Sequence, residues 1–308
     1  MKSILNKAML QKAGNQPGGR PPAAVEITPE GVLAAAVPGP GQPPTYAFEP
    51  LPAGALLPGI GEPNMRNNEA VAAAIRTALG QVSPRTHAVT VVIPDTVVRV
   101  FVLDFDSLPA KAAEIYPVLR FRLRKMVPFE VEHAGLSYQV LSQKKDECRV
   151  LAAVMPGPIL AEYEAAVRSA GYEPGAVLPS SLAAVEAIDS MEAVLLANLS
   201  SVSLTTAVIN GQDLLLYRTL DLPNEPEQRV AELQRGIAVA AAYFEDRLGA
   251  PPSRLYYSGC ERIDEFSEWI GENGLSTMDL VERPAIGATT ALGNTNIAAV
   301  SGALVGAR

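Results

Sequence analysis

Residues 89–141 read VTVVIPDTVVRVFVLDFDSLPAKAAEIYPVLRFRLRKMVPFEVEHAGLSYQVL. The order strand, strand, helix, strand within them decides how the rest of the chain is organised. Val89–Ile93 is an apolar run closed by Pro94, the pattern of a strand buried on both faces. Thr96–Phe105 is β-branched and aromatic, with Val98, Val100 and Val102 alternating, and predicts a second strand. Ala112, Ile115, Leu119, Leu123 and Met126 then recur at helical spacing until Pro128, whose ring pushes the preceding residue out of the α region. The interior Pro117 predicts a kink or a fresh helix start, because proline removes a helical hydrogen bond. Ser137–Leu141 resumes strand character.

Outward from this stretch the chain alternates short strands with helices. Ala23–Val37 predicts a hairpin with its turn at Thr28–Gly31. Residues 38–63 hold eight prolines, which remove backbone donors and leave room for one edge strand near Tyr46–Phe48. Asn68 is placed to cap a helix over Glu69–Leu79, and helices are expected at Gly157–Gly171 and Ser180–Asp189. Val194–Val208 and Leu214–Leu220 flank Asn210-Gly211, a strong hairpin signal. A long helix carries Val230, Leu233, Ile237, Ala241, Phe244 and Leu248; a strand at Leu255–Tyr257 and helices at Ile263–Ile270 and Ile297–Val305 follow.

Composition removes several function classes. The 308 residues are 48% hydrophobic, enough for a large core in two lobes, and no apolar run approaches the roughly 20 residues that span a bilayer. Met1–Lys12 has scattered lysines and no apolar centre, unlike a signal peptide. Its Ile4, Leu5, Ala8 and Met9 suit either a small amphipathic segment touching an anionic membrane or partner, or a frayed terminus. A net charge of −8 argues against nucleic acid, and His87 and His133 stand at no metal-ligand spacing with Cys148 and Cys260. The two cysteines read as unlinked thiols of a reducing compartment. No serine lies in a triad pattern. Arg120, Arg122, Arg124 and Lys125 either meet acidic head groups or an acidic tail, or form the solvated face of their helix opposite Glu130 and Glu132.

A strand closing on Ile93-Pro94-Asp95, a helix ending in Val127-Pro128-Phe129-Glu130 and a following short strand resemble PilM, an actin-like protein of type IV pilus assembly related to FtsA and the cytoplasmic part of GspL. The similarity continues through Leu151–Met155, Gly157–Gly171 and Leu178–Ala187, and returns weakly over Leu195–Leu220 and Arg229–Cys260. It implies an α/β, two-lobed actin-like (ribonuclease H-like) fold with a small α+β domain inserted in the first lobe. The divisions expected are a flexible tail over 1–22, a first lobe over 23–94 plus 173–190, an inserted subdomain over 95–172 and a second lobe over 191–308. It also implies a cytoplasmic scaffold, peripheral at the inner membrane, that binds the N-terminal tail of a PilN-like membrane protein between the first lobe and the inserted subdomain. Two alternatives remain: an active actin-like ATPase of pilus assembly, and a GspL-like scaffold of type II secretion.

The resemblance further implies a Mg-ATP site built from two glycine turns, (L/V)-D-I-G-S-S-S-(V/I)-K and V-D-I-G-x-x-x-T-T, with an aspartate ordering the metal in each. Here the first aspartate falls on Glu26, the glycine on Thr28, followed by Pro29, and the lysine on Leu33. The second aspartate falls on Asn198 and its glycine on Ser200, while Ser203, Thr205 and Thr206 keep hydroxyls. The adenosine-side turn reads Ser258-Gly259-Cys260-Glu261, and Glu232, Gln234 and Arg235 match the family's E-I-Q-R helix start. These positions are the equivalents of a degenerate nucleotide site, and no cofactor is expected. The other reading keeps Ser200, Ser201 and Ser203 as a phosphate cradle, with Glu26 as metal ligand for ATP.

Overall fold

The computed structural model describes residues 20–39, 41–211, 213–282 and 295–305. Its first sheet starts with a hairpin of β1 (Ala23–Ile27) and β2 (Gly31–Ala36), closed by Thr28 N–H to the Gly31 carbonyl at 2.9 Å. β3 (Thr45–Pro50) pairs antiparallel with β2, and β4 (Ala88–Ile93) and β8 (Glu173–Pro179) extend the other side in parallel, giving the order β3-β2-β1-β4-β8. All residues of β1 and β2 are buried, and their many alanines let helices approach both faces of the sheet.

The second half repeats this plan. β9 (Ala193–Leu199), β10 (Ser203–Asn210) and β11 (Asp213–Asp221) form an antiparallel meander, and β12 (Arg254–Gly259) and β13 (Ser276–Asp279) add in parallel. The order β11-β10-β9-β12-β13 matches the first sheet strand for strand, so the two-lobed arrangement is present. Each lobe also has a helix between its third and fourth strands: α1 (Asn68–Val82) in the first and, numbered here in chain order, α5 (Pro226–Leu248) in the second. The α1 cap is Asn67, one residue earlier than expected, its side chain accepting from Ala70 N–H at 3.0 Å.

Between β4 and β8 the chain leaves the first sheet. A 3-10 turn at Asp95–Val97 leads to a three-stranded antiparallel sheet, order β5-β7-β6, of β5 (Arg99–Phe105), β6 (Gly135–Lys144) and β7 (Glu147–Met155). Helix α2 (Ala112–Leu123) runs through Pro117 unbroken and packs Ile115, Leu119 and Leu123 into a cluster with Val131, Val150 and Val154. α3 (Gly157–Ser169) differs from the expectation that ended the inserted unit at 172. Its Ile159, Tyr163, Ala166 and Val167 lie in the first lobe's core. Glu162 on α3 accepts the Asn64 and Met65 backbone N–H groups at 2.7 and 3.0 Å, pinning the proline-rich excursion to the lobe.

The lobes meet through two short helices, α4 (Ser180–Val185), shorter than the helix expected over Ser180–Asp189, and α7 (Ile297–Ala303); α6 (Ile263–Ile270) lies within the second lobe. A Cβ at Gly302 would stand 1.9 Å from the Ala183 carbonyl oxygen, so only glycine permits the α4–α7 approach. Arg20 reaches this junction, 3.7 Å from the buried Glu186 carboxylate and donating to the Gly302 carbonyl at 3.2 Å. Arg20 and Pro22, within the expected tail of 1–22, are therefore held against the first lobe and the junction, Val37 N–H bonding the Pro22 carbonyl at 3.0 Å. The amphipathic pattern within Met1–Lys12 lies outside the described residues. Both cysteines are free. Among the described residues no helix is long and apolar enough to cross a membrane.

Candidate functional site: the cleft between the lobes

Glu26 and Asn198 are the penultimate residues of β1 and β9, so the repeated topology places them at matching points on either side of the interlobe junction. The carboxyl ends of the parallel strands add Asp95 after β4, Ser180 and Ser181 after β8, and Ser258 near the end of β12. Side chains converge there because strand ends at a change of direction open a crevice. The cleft has about 560 Å³ of unfilled space, open solvent at its mouth included, with Glu26, Thr28, Glu30, Asp95 and Ser200 among its lining.

Its floor is a buried polar network. Asn198 Nδ2 donates to Ser181 Oγ at 2.7 Å and lies 3.3 Å from Asp95 Oδ2, while Asn198 Oδ1 accepts from Ser258 Oγ and Asn296 Nδ2, both at 2.8 Å. Asp95 also accepts from Ser181 N–H, Thr205 Oγ1 and Tyr217 Oη, each at 3.1 Å, and from Ser181 Oγ. Burial pushes the Asp95 carboxyl above the usual carboxylate range, and the donors from Ser181, Tyr217 and Thr205 oppose this without cancelling it. Burial pushes Glu26 up to about 8; its bond from Ser180 Oγ at 2.6 Å opposes this, and nearby Asp95 and Glu30 reinforce it.

The backbone donors of the three loops around the cleft are engaged within the protein, an arrangement that does not fit Mg-ATP. In the first, Thr28 N–H and Gly31 N–H bond across the hairpin, and Pro29 has no N–H to offer. Gly31 is required by packing, since a Cβ there would meet the Phe48 ring at 2.4 Å. In the second, Ser200 Oγ captures the N–H groups of Val202 and Ser203 at 3.3 and 3.0 Å, and Arg229 holds the carbonyls of Ser201 and Ser200 at 2.6 and 3.0 Å. In the third, Cys260 N–H bonds the Leu199 carbonyl at 3.1 Å and Tyr257 Oη takes Glu261 N–H at 3.2 Å. Three acidic side chains line the cleft and no lysine or arginine among the described residues does. A polyphosphate needs free backbone donors and positive charge.

Of the residues singled out from the sequence, Glu26, Thr28 and Ser200 line the cleft, Asn198 and Ser258 form its floor, and Ser203 braces Ser200, their hydroxyls 2.9 Å apart. Gly259 permits strand contact: a Cβ there would stand 2.7 Å from the Leu199 carbonyl oxygen. Glu232 and Arg235 are not brought to the cleft; they pair with each other on an open face of α5, Arg235 Nε donating to Glu232 at 3.1 Å. Asp95, Ser180, Tyr217 and Asn296 were missed. The detectable signal was a polar residue directly after Pro94 and after Pro179, at the ends of two buried strands.

Comparison with protein-family models and with curated proteins finds no match. Among solved structures, a chain of a PilM–PilN type IV pilus biogenesis complex superposes with a TM-score of 0.73 at 18% identity, covering 93% of this chain and 98% of that one. The cytoplasmic domain of EpsL, an inner-membrane component of the type II secretion system of Vibrio cholerae, gives 0.49 at 14% identity over 76% and 80% of the two chains. A Bacteroides thetaiotaomicron protein with an actin-like ATPase fold gives 0.46 at 11% identity over 79% and 83%. The repeated lobes and the full-length superposition together establish that this chain has the two-lobed actin-like fold, in the form taken by a chain of the PilM–PilN complex.

Proposed function

We propose that this protein is a scaffold of a type IV pilus or related secretion assembly, held at the inner membrane by the short cytoplasmic tail of a PilN-like, membrane-anchored partner. The observation that carries the reading is the superposition over almost the whole of both chains on a component of the PilM–PilN complex. The cleft supports it from the other direction: acidic lining and engaged turn donors make a poor seat for Mg-ATP, leaving recognition of another protein as the task. The first lobe and the inserted unit then form the docking platform.

The test is fluorescence anisotropy of labelled N-terminal peptides from candidate inner-membrane partners, titrated with the purified chain. One tail should bind saturably, and a scrambled peptide of the same composition should not. Failure of every tail, together with micromolar Mg-ATP binding and turnover, would replace the scaffold with an ATPase.

A further inference from the structure

The five donors on Asp95 come from two directions. Ser181 supplies its N–H and its hydroxyl from α4, in the first lobe with Asp95 itself. Asn198, Thr205 and Tyr217 supply the rest from β9, β10 and β11, three adjacent strands of the second sheet. Thr205 is braced in turn by Thr219, their hydroxyls 2.9 Å apart. The second lobe thus presents a buried patch of amide and hydroxyl donors, and the first lobe inserts a carboxylate into it. Asp95 is 4% exposed, and the donors that face it are 2% (Asn198), 1% (Thr205) and 9% (Tyr217) exposed.

We infer that the second lobe carries an anion cradle and that Asp95 is its built-in occupant, an internal ligand that holds the two lobes together. Each carboxylate oxygen faces one group that can only donate, the Ser181 N–H on Oδ1 and the Asn198 amide N–H on Oδ2, and the three hydroxyls turn their hydrogens to the same oxygens, so the cradle suits an acceptor-only anion. A neutral amide, in either orientation, would set its own N–H groups against one of those two nitrogens. Asp95 also opens the 3-10 turn that leads into β5, and β5 passes beside β11. The same carboxylate therefore roots the inserted unit against the second lobe, and closure and the seating of that unit are a single event. Asp95 is a positioning residue.

Chemical rescue tests it. Spin labels placed at exposed Glu69 and Asp246 (E69C and D246C in a Cys260→Ser background) report the distance between the lobes. With native Asp95 they should give one narrow distance, which formate leaves unchanged. Asp95→Ala should lengthen and broaden it and lower the melting temperature. Formate, small enough to enter the vacated cradle, should restore both saturably, beyond chloride at equal ionic strength. Adding Thr205→Val and Tyr217→Phe should abolish the rescue. Should Asp95→Ala not fold, Asp95→Asn, which keeps the volume and mismatches the donors, takes its place in the same distance measurement and should broaden it. An unchanged distance in the variant that folds overturns the inference even if its melting temperature drops. Formate acting no better than chloride on Asp95→Ala overturns it too.

Discussion

Glu26 shows what burial beside two other carboxylates does to a carboxyl. Its carboxyl is held at about 8 by burial and by Asp95 and Glu30, so the folded chain keeps a proton there that the unfolded chain releases near 4.5. A raised carboxyl favours the fold below the unfolded value, and that contribution is lost as pH rises towards 8. The loss is at most about 5 kcal/mol at 1.36 kcal/mol per unit. Glu26→Gln keeps an acceptor for Ser180 and removes the titration. Its stability advantage in urea unfolding should therefore grow from pH 5 to pH 9; an equal advantage across that range would count against a neutral Glu26. Asn198 is the matching case in the second lobe. Asn198→Asp restores the residue type that the family resemblance implies, yet places a second carboxylate about where an amide now stands 3.3 Å from Asp95. Two like charges in a buried site should cost about 3 kcal/mol or more at neutral pH. The penalty should shrink as acid protonates one of them, which parallel melts at pH 5 and pH 8 will show. Glu26 and Asn198 were legible as positions because they lie next to recognisable turns. Asp95 was not, because its donors are 86 to 122 residues away in sequence.

At the scale of elements, the junction of α4 and α7 bears most on stability. Gly302→Ala would drive a methyl into the Ala183 carbonyl, and neither short helix can shift without disturbing the sheets beneath. The expected loss is at least about 2 kcal/mol, read as a lower urea midpoint at an unchanged slope. Arg20 belongs to the same junction. Arg20→Ala removes the guanidinium 3.7 Å from Glu186, whose side chain is 1% exposed, and should cost about 3 kcal/mol. Removal of residues through Arg20 is therefore expected to lower the melting temperature, against the sequence-based expectation of a flexible tail over 1–22. A melt of the Arg20→Ala chain within a degree of the parent would overturn this. The periodic helices α1, α3 and α5 were readable because one face of each is apolar at 3.6-residue spacing. The α4–α7 contact was not, since small residues carry little periodic signal and their use depends on what they face.

For the whole molecule, the expected outcome is that calorimetry with Mg-ATP shows no saturable binding in the micromolar range. Two or three missing charge-assisted contacts, each worth roughly 1.5–3 kcal/mol, move a micromolar site to about millimolar or weaker. Ser200→Gly with Asn198→Asp should not recover it, because Pro29 and the closed first turn remain and Asp95 opposes the new carboxylate. Tight binding by the unmodified chain would falsify this reading of the cleft. Local pattern by itself determined the long helices, the hairpin of β1 and β2, and the turn at Asn210-Gly211, because alternation, helical spacing, proline and glycine act over a few residues; it did not separate β9 from β10 within Val194–Val208 or mark β8 and β13. Only the tertiary structure decided that α3 packs with the first lobe, that Glu232 and Arg235 stand away from the cleft, and that Asp95 joins three strands of the other lobe. Those outcomes depend on which buried polar group finds which partner once the sheets are packed. Desolvation sets that pairing across distances in sequence that no local pattern spans.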